Sequence, residues 1–242
     1  MKVRNTVEFC IHGNMALFSD PITRVGGEKI SYQIPTYQAL KGILESVYWK
    51  PTLIWYIDHV RIVNPIQTQM RGIRPAKDTY GQNDLAYYTY LSNVKYQVQA
   101  HFEWNMNRPE LEQDRNENKH HNIARRMIER GGKKDIFLGT RECQGYVEAC
   151  EYGEGAGAYD EIQELAFGLM VHGFDYPDET GRDFLTLRLW RPVMRNGEIE
   201  FMRPEDCDIK RDIRQMAAKS FVQGVNFTGT EGEEFELDAG IM

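Results

Sequence analysis

Two amphipathic segments set into a strand-rich chain constrain this sequence more than any motif does. The first, IPTYQALKGILESVYW, follows Pro35. Thr36 can accept an orphan backbone N–H at its start, and Leu40, Ile43, Leu44 and Val47 recur at helical spacing until Pro51 stops it. The second opens at Pro109, carries Ile123, Met127 and Ile128 on its latter half, and ends at Gly131-Gly132. Around them lie runs rich in β-branched and aromatic residues, at 3–12, 53–64, 94–104 and 142–152. The order β-α-β-β-α-β is the ferredoxin-like pattern, in which two split βαβ units make a four-stranded antiparallel sheet with both helices on one face. The predicted fold class is α+β.

Residues 65–83, with Gly72, Pro75 and Gly81, read as an inserted loop or irregular hairpin. Gly42 costs about 1 kcal/mol against alanine inside a helix, which implies a close approach there. Residues 1–152 complete the first domain. Residues 153–242 hold strand-like runs at 165–173, 183–190 and 199–202, with Asn196-Gly197 as a hairpin turn. They predict a small antiparallel β-sheet subdomain, entered through the linker GEGAGAYDE and followed by a less ordered acidic tail.

Charge is unevenly placed. The chain is net −7, yet residues 115–146 are net +4. A local basic region in an acidic protein points to a localised anionic partner. The acidic residues of 148–164 and of the tail GTEGEEFELDAGIM read as solvated surface. An apolar fraction of 41% with 27% charged residues is that of a soluble protein. No apolar run approaches a membrane span, and MKVRNTVEFCIHG does not read as a secretory signal. Cys10, Cys143, Cys150 and Cys207 form no C-x-x-C pair, so free thiols and a reducing, cytoplasmic location are expected.

The basic stretch also holds Lys119-His120-His121, placed by the preceding RNEN in a loop or at a helix cap. An imidazole gives and takes protons near neutral pH, and an ammonium can neutralise a phosphorane-like transition state. These are the ingredients of RNA cleavage without a metal, in which a 2′-OH attacks the adjacent phosphate. The alternative is a solvated pair of surface histidines. Adjacent histidines on a helix diverge too far to chelate one ion, and no H-x-E or H-E-x-x-H motif accompanies them, so no metal or cofactor is implied. Walker A, dinucleotide-binding and nucleophile-elbow motifs are absent from the sequence. Tyr48 is a second candidate, or else a packing aromatic. Arg24, Lys29, Lys41, Lys50, Arg71 and Arg74 would extend a backbone-binding surface.

The segments GGEKISYQIPTYQALKGILESVYWKPT, RNENKHHNI, KKDIFLGTRECQGYV, MVHGFDYPDETG and FMRPEDC together resemble the fifth family of CRISPR-associated proteins, in its d-subtype from the type I-C (Dvulg) system. The similarity runs along nearly the whole chain except the acidic tail. The resemblance implies a RAMP-superfamily protein with a ferredoxin-like N-terminal domain and a small C-terminal sheet. It also implies an endoribonuclease that cuts CRISPR precursor RNA at the 3′ base of the repeat hairpin and stays on the 5′ handle of the mature crRNA. There it would serve as a subunit of the surveillance complex, with duplex DNA as a secondary partner and no membrane, and would be a monomer when isolated.

The family's tyrosine, lysine and histidine carry over to Tyr48 in YWKP and to Lys119 and His120 in NENKH. His121 stands where an aromatic or polar residue occurs, and His120 is the favoured imidazole. Arg115, Arg125, Arg126, Lys133, Lys134 and Arg141 become candidate RNA phosphate contacts. Other members of the family are non-catalytic RNA-binding subunits, which is the competing reading.

Overall fold

The computed structural model describes residues 4–21, 23, 27–74, 85–222 and 224–226. The acidic tail and residues 75–83 of the loop expected at 65–83 lie outside these residues. The fold is α+β, with antiparallel sheets and more strand than helix. No helix among the described residues is long and apolar enough to cross a membrane.

The main sheet is built on β1 (Thr6–Ala16), β3 (Leu53–Ile62), β5 (Ala86–Trp104) and β7 (Gln144–Ala149). These stand in the order β3-β5-β1-β7, each antiparallel to its neighbour. The short β6 (Ile136–Phe137) extends one edge. The helices α1 (Tyr37–Val47) and α2 (Glu117–Glu129) follow β1 and β5 respectively. Alternation explains which side of each strand is buried: Val7, Phe9 and Ile11 in β1, and Tyr96, Val98, Ala100 and Phe102 in β5. In β3 the buried set is Leu53, Trp55 and Ile57, then Val60 and Ile62. The phase slips because pairing steps from Ile57↔Ala100 to His59↔Gln99, leaving Asp58 as an extra residue.

The strand read at 94–104 and the aromatic stretch before it, which reads as a hairpin arm, form one continuous strand, β5. Its first half extends the same sheet, pairing with β4 (Thr68–Ile73) on one side and, beyond the end of β1, in parallel with the two-residue β2 (Lys29–Ile30) on the other. The irregular hairpin expected at 65–83 is thus a regular ladder at least as far as Ile73.

Capping sets both helices. Thr36 accepts the Ala39 N–H at 3.1 Å, as read from the sequence. The second helical segment divides. Residues Pro109–Asp114 form a 3-10 turn, and α2 proper starts after Asn116, whose side chain accepts the Lys119 N–H. It ends with Gly132 N–H on Met127 and Gly131 N–H on Ile128, both glycines at positive φ.

The rest of the chain holds β8 (Leu165–Ala166), β9 (Met170–Asp175), the single turn α3 (Pro177–Thr180), β10 (Phe184–Trp190), β11 (Val193–Met194), β12 (Glu198–Glu200) and β13 (Ile209–Gln215). β13, β10 and β9 form an antiparallel sheet, and β11 pairs with β8. The Asn196-Gly197 turn has positive φ at both residues, as a tight hairpin requires. Pairing crosses residue 152, since β12 lies on the edge of the main sheet beside β3. One apolar cluster runs from Val7 to Phe201 and includes Met170, Trp190 and Ile199.

A buried polar clasp ties β9 and β10 to α1. The His172 ring stacks on Tyr37 with centroids 4.3 Å apart. Arg188 pairs with Asp175 in the interior and donates to His172 Nδ1. Lys41 is buried and paired with Glu179 at 2.6 Å, so it does not extend a binding surface. Arg188→Met is expected to cost about 3 kcal/mol or more in urea unfolding, because it strands the Asp175 carboxylate, while Arg188→Met/Asp175→Leu recovers most of the loss. Burial, helped by Arg188, pushes His172 down to about 3 from the ordinary 6.5. Between those values the unfolded chain binds a proton that the native chain refuses. Stability should therefore fall as pH drops through this window, by up to about 1.4 kcal/mol per pH unit, and a His172→Gln variant should flatten that slope in urea melts.

Candidate active site

The site is built where α1 ends. Pro51 forbids the helix to continue, and Tyr48 turns out of it with extended backbone angles (φ −152°, ψ 123°). Its N–H still reaches Leu44, and its carbonyl accepts the indole N–H of the buried Trp55 at 2.8 Å. The phenol is thereby aimed from a fixed backbone. Against it stands the first turn of α2, whose start is fixed by the Asn116 cap. His120 faces inward from that turn, beside the rings of Phe102 and Trp104 from β5.

Tyr48 Oη lies 2.7 Å from His120 Nδ1, across 72 residues of sequence. His120 Nε2 lies 2.7 Å from the Asp114 carbonyl oxygen. A carbonyl has no proton to give, so Nε2 carries the hydrogen and Nδ1 is the acceptor. The Tyr48 hydroxyl therefore donates to a neutral imidazole. Burial is the main cause holding His120 below the ordinary histidine range; Asp114 raises it, and Lys50 and Lys119 lower it further. Both residues are buried, His120 with no exposed surface and Tyr48 with 5%.

Lys119 points elsewhere. It lies half-exposed on the outer face of α2, in a shallow depression shared with Asn116, Asn122, Arg125 and Arg126. His121 turns toward β1 and donates from Nε2 to the Thr6 carbonyl at 3.0 Å. Its Nδ1 is buried with no hydrogen-bond partner among the described residues. The structure thus joins Tyr48 to His120, sets Lys119 on the neighbouring face, and commits His121 to holding α2 on the sheet.

The basic candidates divide as well. Arg125, Arg126, Lys133, Lys134 and Arg141 are exposed. Arg141 lies over the Phe137 ring, and Arg125 is only loosely paired with Glu129 at 3.8 Å. Arg115 instead donates to the carbonyls of Arg108 and Asn105, bracing the turn before α2. Lys50 is buried. Two residues at the site carried no sequence signal. Thr52 donates its hydroxyl to the Asp114 carboxylate at 2.5 Å, and that carboxylate lies 3.6 Å from His120 Nε2. Nothing in the sequence links positions 62 residues apart.

Comparison with known proteins gives consistent results. A family model described as CRISPR-associated protein (Cas_Cas5) matches residues 6–202. A curated relative named CRISPR pre-crRNA endoribonuclease Cas5d, from Mannheimia succiniciproducens, is 36% identical over 63 residues, 26% of this chain and 27% of that protein. A protein of the same name from Thermus thermophilus is 34% identical over 53 residues, 22% of each. The chain thus aligns with about a quarter of the length of these curated relatives. A crystal structure described as a CRISPR-associated protein is 35% identical with a TM-score of 0.73, covering 85% of this chain and 96% of the other. SMU1763c from Streptococcus mutans, described as functionally uncharacterized, is 39% identical with a TM-score of 0.71 and the same coverage.

Tyr48→Phe leaves His120 Nδ1 buried without a donor and is expected to cost about 1–3 kcal/mol. Lys119→Ala removes a surface side chain and should stay within about 0.5 kcal/mol. Denaturant unfolding of the two variants checks this order, and equal losses would contradict the arrangement.

Proposed function

The chain belongs to the Cas5 family of CRISPR-associated proteins, and from that premise we propose that it is a metal-independent endoribonuclease acting on CRISPR precursor RNA. It cuts at the 3′ base of the repeat hairpin, stays on the 5′ handle, and serves as a subunit of the type I-C surveillance complex. We read β7-β1-β5-β3 with α1 and α2 as the ferredoxin-like unit of a RAMP protein. The names of the curated relatives support the processing activity. The observation that carries the proposal is the 2.7 Å hydrogen bond from Tyr48 to His120.

A phenol is a poor base at neutral pH, with an ordinary pKa near 10. A neutral imidazole accepting its proton removes that obstacle. In the proposed step the 2′-OH gives its proton to Tyr48 as Tyr48 passes its own to His120. The 2′-oxygen bonds to phosphorus, the bond to the 5′-oxygen breaks, and that oxygen takes a proton from solvent. A 2′,3′-cyclic phosphate and a 5′-hydroxyl result. Lys119, on the exposed turn, meets the charge of the pentacoordinate phosphate. Arg125 and Arg126, on the same face, hold flanking phosphates. His120 has no surface for RNA to touch, so it acts through Tyr48.

That enclosure also favours the second reading, a non-catalytic crRNA-binding subunit. Incubating the purified protein with repeat RNA in EDTA separates the two. Cleavage is expected, with loss on placing a 2′-deoxy nucleotide just upstream of the cut. Uncut RNA, or normal cutting of the deoxy substrate, overturns the proposed chemistry. Tyr48→Phe and Lys119→Ala are each expected to lose roughly 10²-fold or more in rate. Because the folded-state pKa of His120 lies below 6.5, its base form dominates at neutral pH, and the acid limb of the rate profile should fall below that value.

A further inference from the structure

Both nitrogens of His120 are controlled from one short segment. Tyr48, at the end of α1, donates to Nδ1. Four residues on, Thr52 donates to the Asp114 carboxylate at 2.5 Å, and Asp114 accepts Nε2–H on its backbone carbonyl. Thr52 is 0% exposed, so its hydroxyl is oriented by the interior and not by solvent. A commoner role for an aspartate just before a helix is to face the positive end of its dipole. Here the cap is already supplied by Asn116, and the Asp114 carboxylate is drawn toward Thr52 and His120.

We propose that Thr52 and Asp114 are the positioning pair of this site. Thr52 fixes the carboxylate, and Asp114 holds the imidazole in the one tautomer that accepts the Tyr48 proton and faces the positive charge that then forms. The pair deepens the nuclease reading and rests on it for its catalytic consequence. The chemistry requires two separate services at Nε2. The carbonyl fixes which nitrogen is protonated, which a side-chain substitution leaves in place. The carboxylate, 3.6 Å away, supplies negative charge without competing for the Nε2 hydrogen. A carboxylate free to rotate would compete, and the geometry at Nδ1 would loosen with it. The Thr52 hydrogen bond restrains that rotation.

The charged and titratable groups facing His120 are Tyr48 and Lys50 from the end of α1, Asp114 from the 3-10 turn, and Lys119 from α2. Phe102 and Trp104 close the side toward β5. Asp114 is the negative member of this set. Its loss removes the contribution that raises the His120 pKa while those of Lys50 and Lys119 that lower it remain, and the imidazolium becomes harder to form.

The test uses the full chain as wild type, Asp114→Asn, Thr52→Val and Thr52→Ser. Nitrogen-15 NMR of the histidine rings, recorded without RNA, reads the tautomer and protonation midpoint of His120. The Nε2–H tautomer is expected in the wild type, with a lower midpoint in Asp114→Asn. In cleavage assays Asp114→Asn and Thr52→Val should lower kcat roughly tenfold with KM within about twofold, as expected for misplacement of a proton acceptor. The acid limb should move down in pH for Asp114→Asn, and Thr52→Ser should restore the wild-type rate. A thermal melt confirms that each variant is folded. The proposal is overturned by an unchanged midpoint in Asp114→Asn, or by Thr52→Ser behaving as Thr52→Val does. A protein that shows the expected NMR shift yet cuts no RNA retains the positioning pair and loses the nuclease reading. One that cuts RNA with no NMR shift does the reverse.

Discussion

A histidine with no exposed surface must find partners for both ring nitrogens inside the protein, and much of this fold's central arrangement follows from that demand. Leaving either nitrogen unmet would cost about 1–3 kcal/mol. His120 is met by Tyr48 on one side and Asp114 on the other. Those residues belong to the end of α1 and to the turn before α2. The two helices must therefore come to the sheet in a fixed mutual position, and the hydrogen bonds help to define it. Trp55 adds a third constraint by donating to the Tyr48 carbonyl from β3. Three separate elements are thus locked through one side-chain pair.

The sheet makes this possible. β3 and β5 lie side by side in antiparallel register, with Leu53 opposite Trp104. That pairing brings the start of β3, just after Thr52, to the end of β5, just before the turn that holds Asp114. The loop from α1 into β3 and the connection from β5 into α2 therefore meet at one end of the β3–β5 ladder. Neither connection could supply the site alone. A polar cluster in an interior is stable only when its members are satisfied together. The joint origin of Tyr48, Thr52, Asp114 and His120 meets that condition.

The sequence revealed local order well and distant order poorly. The cap at Thr36, the Pro51 stop, the Gly131-Gly132 end and the Asn196-Gly197 turn each depend on a few adjacent residues, and each could be read; the start of α2 after Asn116 was not fixed, since Pro109 reads as the opening of the helix. The four central strands could be read from their alternation. The bulge at Asp58 could not, because it is set by a register against β5. The aromatic stretch before Val94 could be read as a hairpin arm, but its continuity with β5 could not, because that is set by pairing with the polar β4. Lys41 looked like a surface charge because its partner Glu179 lies 138 residues away. Arg115 looked like a phosphate contact because the carbonyls it braces have no signature in sequence. The Thr52–Asp114 contact is of the same kind.

The Lys-His-His run shows why adjacency misleads. Successive residues on a helix point about 100° apart, so three neighbours must face three different surroundings. Lys119 meets solvent, His120 the interior, and His121 the edge of β1. A cation that meets a phosphate has to remain hydrated until the phosphate arrives. An acceptor for a phenolic proton works best where water cannot take its place. One helical turn provides both environments within a single residue step. The separation of Lys119 from His120 is therefore compatible with a shared task, provided Tyr48 forms the link between the interior and the surface.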